Sequence, residues 1–248
     1  MMPDRLRVAL ILGLAVVAAG ILFLLPPISQ DLRYHEFAGH RTVWGVPNFW
    51  NVVSNLGFLL VALWGLRALR SPAAFLESWE RAAYCILLAG LALVAAGSTY
   101  YHLRPDNGTL FWDRLPMTVV FMSLLAATIG ERISAHAGRL LLLPLVALGV
   151  ASVVYWRFSG DLRLYGLVQY YPLAALPLMV VLFPPRYSGA AGLVAMMGFY
   201  ALAKLAEGFD RQLAAILPAG GHPWKHVAAA AAMLCYVNMV ARRRPVRL

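Results

Sequence analysis

The sequence predicts an all-α integral membrane protein with a core bundle of seven transmembrane helices and one additional N-terminal helix. Of the 248 residues, 61% are hydrophobic and only 13% are charged, and the mean hydropathy is +0.70. Soluble domains are usually about half apolar and about one quarter charged. The alternating polar and apolar residues of a membrane β-barrel strand are absent. This composition excludes a disordered chain and argues against a soluble globular domain.

Eight windows without Asp, Glu, Lys or Arg divide the chain, and most can cross roughly 30 Å of hydrocarbon at about 1.5 Å per residue. The windows are 8–30, 42–66, 82–103, 115–130, 140–156, 164–185, 187–203 and 226–241. The windows 115–130 and 226–241 are shorter. They can span the membrane if flanking residues such as Arg114 and Arg242 lie within it and extend their charged groups to the interface. We therefore predict eight transmembrane helices joined by short loops.

The first window follows Arg5 and Arg7, as the apolar core of a signal peptide would. Its apolar run is longer than a typical signal core, and no clear small-residue cleavage site follows it. We therefore predict a retained helix. The expected organisation is an additional transmembrane helix in 1–30, a seven-helix domain in 42–241 and a basic cytoplasmic tail in 242–248.

The net charge of +10 does not indicate a nucleic-acid partner. The basic residues are spread singly between apolar runs, without the basic stripe and aromatic platforms of nucleic-acid-binding proteins. If the N-terminus is cytoplasmic, most Lys and Arg residues fall in cytoplasmic loops, and Arg242–Arg244 is the strongest such signal. We therefore predict a multi-pass membrane protein with both termini in the cytoplasm.

Three of the six histidines fall at the predicted outer ends of helices, whereas His35, His40 and His136 fall in predicted loops. His222 and His226 are four residues apart, so a helix places both imidazoles on one face. A third imidazole would complete the three protein ligands of a catalytic zinc site, which keeps one position open. Two other interpretations remain: interfacial histidines that only form hydrogen bonds, and axial ligands of a b-type haem.

Two further polar residues fall on the same side of the predicted bundle. Ser98 precedes His102 by one helical turn, and Asp113 follows at the predicted start of the fourth helix. Asp113 could be a helix N-cap, and Ser98 could hydrogen-bond to its own helix. Ionisable groups at such positions in a membrane protein are nevertheless functional candidates.

The chain resembles the alkaline ceramidases and their superfamily of membrane hydrolases, which includes the progestin and adiponectin receptors. The resemblance rests on Ser98-x-x-x-His102, Asp113 and His222-x-x-x-His226, together with the segment 48–55, Asn-Phe-Trp-Asn-Val-Val-Ser-Asn. It covers about residues 48–241. It implies a seven-helix bundle that holds zinc by His102, His222 and His226, with Asp113 and Ser98 as catalytic residues.

Two positions depart from the family pattern. Asn48 stands where alkaline ceramidases have a glutamate that binds calcium, and the acidic residues before it are spaced differently, so a calcium site is doubtful. Lys225 stands where the animal enzymes have an aromatic residue, which bears on lipid specificity more than on metal binding.

The resemblance implies a zinc-dependent intramembrane hydrolase that cleaves the amide bond of ceramide or a related N-acyl lipid to a fatty acid and an amine. The lipid would enter laterally from the bilayer, with its acyl chain beside Phe111, Met117 and Phe121. The active site would face the periplasm or lumen, and no obligatory protein partner is expected. The alternative is a metal-containing receptor or binding protein of the same superfamily without turnover.

Overall fold

The fold was analysed in a computed structural model that describes residues 2–217 and 219–246. In this part of the chain the regular structure is helical, apart from two isolated β-bridges, Val43 with Val46 and Tyr187 with Pro245. The α-helices are α1 (Asp4–Leu24), α2 (Phe49–Ser54), α3 (Leu56–Gly65), α4 (Ser78–Leu103), α5 (Asn107–Arg132), α6 (Ala135–Ser159), α7 (Arg163–Leu182), α8 (Ala190–Gly208), α9 (Asp210–Leu213) and α10 (His222–Arg242).

Among the described residues, seven helical segments are long and apolar enough to cross a membrane. They are α1, the broken segment Phe49–Arg70 that contains α2 and α3, and α4 to α8. This confirms the prediction of an all-α membrane protein. The eighth predicted span corresponds to α10, which has 21 residues but is less apolar on average because polar side chains occupy its first turns.

Helix α5 has the most buried surface, since it packs against α4, α6 and α7. Helix α10 packs against α8 and α3, and α3 in turn packs against α4. The helices thus form a ring in which neighbours pack closely. The exception is the pair α7 and α8, which make few contacts with each other. This weak contact leaves room for an internal cavity beside α5.

The N-terminal helix α1 lies on the outside of the bundle, against α7. Ile11 is its only buried residue among those described, and the Tyr171 hydroxyl donates to the Ile11 carbonyl at 3.2 Å. Most of its apolar surface is exposed to the surroundings, as expected for a helix in lipid. Helix α1 is therefore an addition to the bundle that contributes Ile11 to its hydrophobic core.

The chain after α1 is attached to the start of α7 by a buried carboxylate in the α6–α7 loop. Asp161 accepts hydrogen bonds from Ile28 N at 3.2 Å and from Arg163 Nε at 2.9 Å, and Arg163 also donates to Leu25 O at 2.7 Å. The hydrogen bonds from Arg163 lower the pKa of Asp161 to about 2. The carboxylate therefore stays ionised, and this attachment persists, unless the pH falls to about that value.

The described residues after α10 pack against the bundle. Arg243 is only 7% exposed, and its Nε donates to Ala74 O at 2.7 Å. Its Nη1 lies 3.2 Å from Glu131 Oε2 in α5, and its guanidinium stacks 3.9 Å from the Tyr187 ring centre. This end of α10 is therefore fixed to three other segments. The last two residues of the chain lie outside the described part.

Candidate metal centre and cavity

Three histidines meet inside the bundle at one end of α4 and α10. His102 lies in the last turn of α4, and His222 and His226 occupy the first two turns of α10. One ligating nitrogen from each lies within 4.8 Å of the other two, and the ring centres are 4.9–5.0 Å apart. All three side chains are buried. The i,i+4 spacing in α10 and the packing of α4 beside it therefore bring the three imidazoles together.

The donor set fits a metal ion. His102 Nδ1 and His222 Nε2 are buried and have no hydrogen-bond partner among the described residues. A buried polar atom without a partner costs roughly 1–3 kcal/mol, so such atoms are uncommon unless a ligand takes them up. Three neutral imidazoles are also a common protein ligand set for transition metals. The group could hold a metal ion, which would satisfy these nitrogens.

His226 is oriented by a residue of the broken helix pair. Ser54 Oγ lies 2.8 Å from His226 Nδ1 and donates its own hydrogen to the Asn51 carbonyl at 3.1 Å. In the tautomer with the hydrogen on Nδ1, the Ser54 hydroxyl accepts from His226 and donates to Asn51, which leaves the Nε2 lone pair of His226 free for a metal. Such outer partners orient ligating histidines in known metal sites. Ser54 is 172 residues from His226, so no spacing in the sequence indicates this contact.

His222 is held by a carboxylate in the short helix α9. Asp210 accepts a hydrogen bond from His222 N at 2.8 Å through Oδ1 and one from Ala38 N at 2.9 Å through Oδ2. It thereby satisfies a free N–H at the start of α10 and attaches the 37–39 segment to it. Phe37 covers the site, with its ring centre 4.7 Å from His102 and 4.5 Å from His222. Neither role is visible in the sequence.

Asp113 is not at a helix start, which corrects the N-cap interpretation. Helix α5 begins at Asn107, and Asp106 is its N-cap, with Oδ1 accepting from Thr109 N at 2.7 Å. This hydrogen bond lowers the pKa of Asp106. Asp113 therefore lies in the second turn of α5, where it is buried. A capping role cannot account for its carboxylate.

Asp113 lies against Ser98 because α4 and α5 approach closely. The Ser98 and Asp113 side chains are both buried and border the same space. A side chain at Gly97 would clash with the carbonyl oxygen of Trp112, so this approach requires glycine. Ser98 and Asp113 both line the cavity that His226 also borders. Three of the five predicted site residues thus line that cavity, whereas His102 does not and His222 lines a different pocket.

Two polar residues near the ends of the helices are engaged in contacts. Arg114 is only 6% exposed, and its guanidinium lies 4.5 Å from the Trp156 ring centre and 4.7 Å from that of Tyr165. His35, placed in a loop by the sequence, is half-buried and hydrogen-bonds the Tyr101 hydroxyl at 2.9 Å. Arg114 is therefore covered by α6 and α7, and the segment that carries His35 packs against α4.

A buried ionic cluster lies next to the histidines. Glu207 in α8 accepts from Lys225 at 2.6 Å and from the Tyr34 hydroxyl at 3.0 Å, and it also pairs with Lys204. Lys204 and Glu207 form an i,i+3 pair within α8, and Lys225 of α10 joins it. Because Lys225 is paired with Glu207, α10 can place a charge between its two histidines without leaving that charge unpaired.

An apolar cavity of about 670 Å³ extends from the site into the bundle, and its lining is almost entirely apolar. It is bounded by α7 and α8, and Ser98, Asp113 and His226 lie at its polar end. Met117 and Phe121 line it as predicted. Phe111 does not, because it packs into a separate cluster around Tyr101.

Comparison with known families identifies the fold. The sequence model of the family described as Ceramidase matches residues 41–183, more than half of the chain. The chain belongs to the ceramidase family. Comparison with curated proteins finds none that matches the chain.

The ceramidase match covers Ser98, His102 and Asp113 and ends before α8 and α10. His222 and His226 are therefore connected to the matched part by geometry, since their rings lie beside that of His102. Helix α1 precedes the match, in agreement with its position outside the bundle. Membership of the ceramidase family supports a ceramide-hydrolysing activity in general terms and a lipid substrate.

Proposed function

We propose that this ceramidase-family protein is a zinc-dependent intramembrane amidohydrolase that cleaves ceramide or a related N-acyl lipid. The observation that carries the proposal is the meeting of His102, His222 and His226, since His226 also lines an apolar cavity that Asp113 and Ser98 border. A ligand set with one open position beside a lipid-sized cavity suits hydrolysis of an amphiphile.

The three histidines would hold the metal, and Asp113 and Ser98 would act on the substrate. A zinc ion supplies Lewis acidity at such a site, which polarises a carbonyl and lowers the pKa of water. Asp113 orients the attacking water and accepts its proton as the water oxygen adds to the amide carbon. The Ser98 hydroxyl donates to the developing oxyanion, a contact typically worth about 3 kcal/mol. As the C–N bond breaks, the proton passes from Asp113 to the amine nitrogen, giving a carboxylic acid and an amine.

The lipid enters between α7 and α8. These helices have few mutual contacts, yet both line the cavity. Pro172 and Pro177 in α7 and Ala201 in α8 belong to its wall. A chain in this position would lie in an apolar environment continuous with the bilayer, while its amide group lies at the polar end of the cavity beside Asp113.

The direct test is release of fatty acid from ceramides of short and long acyl chain by the purified, zinc-loaded protein. We expect multiple turnovers, with free fatty acid and amine in equal amounts. His222→Ala serves as the control, because it removes a proposed ligand. Turnover that persists in this variant would exclude the proposed centre. Zinc binding without turnover of any N-acyl lipid would favour a receptor or binding protein.

We expect Ala201→Trp to change chain-length preference. Ala201 lines the cavity on α8, so an indole there would occupy space that a long acyl chain needs. Hydrolysis of long-chain ceramide should fall several-fold more than hydrolysis of a short-chain analogue, with KM affected more than kcat. The matched control is Gly198→Trp, because a side chain at this exposed position of α8 meets nothing within 4 Å. Equal effects on both chain lengths would place the acyl chain elsewhere.

A further inference from the structure

The only two lysines of the chain share one carboxylate in the wall of the apolar cavity. The other 19 of its 21 basic residues are arginine. Lys204 in α8 and Lys225 in α10 both pair with Glu207, and both lysines line the cavity. An ammonium group is a compact charge with three donors, unlike the planar guanidinium of arginine. The restriction of lysine to this place indicates a role that the arginines elsewhere do not have.

The ionic cluster contains one positive charge more than it contains negative charges. Glu207 accepts from Lys225 at 2.6 Å and from the neutral Tyr34 hydroxyl at 3.0 Å, and it also pairs with Lys204. Among the residues that the structure describes, neither lysine pairs with a second carboxylate. Asp113 borders the same cavity without forming an ion pair with them, and the metal opposes its charge in the proposed function. One lysine charge therefore lacks a counter-charge.

Each ammonium group also has hydrogen-bond donors left over. A lysine has three N–H donors, whereas Lys204 and Lys225 each form one hydrogen bond, to Glu207, within 2–217 and 219–246. The Tyr170 ring centre lies 5.3 Å from Lys204 Nζ and offers a cation–π contact but no acceptor. The two side chains are only 25% and 14% exposed, and the cavity is almost entirely apolar. A charge in such surroundings is costly unless it is paired. An anionic group on a bound molecule would supply the missing charge and the missing acceptors.

The position of Lys225 indicates which part of a lipid would carry this anion. Lys225 lies between His222 and His226 in the first turns of α10, so its backbone is within about one helical turn of both. In the proposed function the acyl chain occupies the apolar part of the cavity and the amide group lies beside Asp113. An acyl chain is hydrocarbon beyond its carbonyl group. An anion close to the histidines therefore belongs to the amine part of the substrate.

We propose that the preferred substrate is an N-acyl lipid whose amine part carries an anionic group, and that Lys204 and Lys225 select it. An N-acyl amino acid with a free carboxylate is the simplest member of this class. The inference rests on the proposed function for turnover but not for binding. One water is consumed as the amide C–N bond breaks. The acyl carbon gains the hydroxyl group and the nitrogen gains the proton, which gives a fatty acid and an amino acid.

Two lipids of the same shape and different charge test the proposal. N-palmitoylglycine ends in a carboxylate, and N-palmitoylglycinamide ends in a neutral amide. Their affinities are measured by calorimetry on metal-free protein, where a carboxylate cannot bind to zinc, and kcat/KM for palmitate release is measured on zinc-loaded protein. We expect the wild type to prefer the carboxylate in both measurements by about 10–100-fold, as for hydrogen bonds between charged groups. Equal values for the two lipids would overturn the proposal.

Lys204→Gln removes the additional charge and leaves Lys225 paired with Glu207. An amide at this position can still donate to Glu207, so α8 should stay folded. The preference for the carboxylate should fall by about 10-fold or more, while the values for the neutral lipid change little. Lys204→Arg keeps the charge and should keep most of the preference. Arg211→Gln is the matched control, because it removes a charge from an exposed pair with Glu36 outside the cavity and should not change the preference.

Lys225→Gln is the second variant if Lys204→Gln does not fold, because it leaves Lys204 paired with Glu207. A full preference for the carboxylate in either folded variant would overturn the proposal. Palmitate, whose carboxylate takes the place of the amide group, separates the two ends of the substrate. Its affinity should change little in these variants, and a loss equal to that of N-palmitoylglycine would contradict recognition of the amine part. If the expected binding preference is found but no lipid is hydrolysed, the selectivity stands and the proposed hydrolase function fails.

Discussion

Asp113→Asn should retain zinc and a folded bundle and lose most hydrolysis. The carboxylate is buried beside Ser98 and borders the cavity, and it is proposed to take the proton of the attacking water. An amide of the same shape cannot accept that proton, and loss of a general base typically costs about 10²–10⁴-fold in rate. The metal is held by histidines alone in this proposal, so its affinity should fall much less, by about 10–100-fold at most.

The measurement compares kcat, zinc content and thermal unfolding of the variant with those of the wild type. Asp106→Asn is the matched control, because it makes the same chemical change in the same helix, at the true N-cap. Asn is itself a good N-cap, so this control should lose about 1 kcal/mol of stability or less and keep its activity. An Asp113→Asn protein with normal zinc content and normal turnover would remove Asp113 from the mechanism.

His226→Ala should lose both zinc and activity. The change removes one of three proposed ligands, and two remaining imidazoles hold zinc poorly. It also removes the partner of the Ser54 hydroxyl and leaves a cavity beside Phe58, whose ring centre is 6.1 Å from that of His226. Hydrolysis should therefore fall to background, whatever the substrate concentration.

Thermal unfolding with and without zinc gives a readout that does not depend on catalysis. A ligand at 100 times its dissociation constant stabilises a protein by about 2.7 kcal/mol, so added zinc should raise the Tm of the wild type. It should not raise that of His226→Ala. His136→Ala is the control, since His136 is exposed in α6 and distant in sequence from the triad. If His226→Ala retained stoichiometric zinc, the metal would be held by groups other than this triad.

The helices could be predicted because the chain alternates long apolar runs with charged loops, and each run corresponds to one helical segment. The boundaries were less accurate where ionisable residues are buried inside helices. Window 115–130 misses the first two turns of α5, because Asp113 and Arg114 are charged residues that lie within the protein rather than at its surface. Charge marks a helix end reliably only where the side chain reaches water.

The site was predictable where it depends on spacing within one helix. His222 and His226 share a face of α10 through their i,i+4 relation, and Ser98 shares a face of α4 with His102. The residues that orient the histidines were missed for a physical reason. Ser54, Asp210 and Phe37 act through contacts with residues distant in sequence, and neither periodicity nor residue type reveals which loop or helix will pack beside them.

The position of two of the three histidines on α10 has a consequence for biogenesis. Synthesis runs from the N-terminus, so α1 to α8 enter the membrane before α10 exists. Helix α10 carries Lys225 and two imidazoles in its first turns and is less apolar than the helices before it, so its insertion is less favourable. The partners that offset this cost, Glu207 and Asp210, are already in place when it emerges. The earlier helices thus supply the contacts onto which α10 docks, and the proposed metal site, which needs His222 and His226, is incomplete until it has done so.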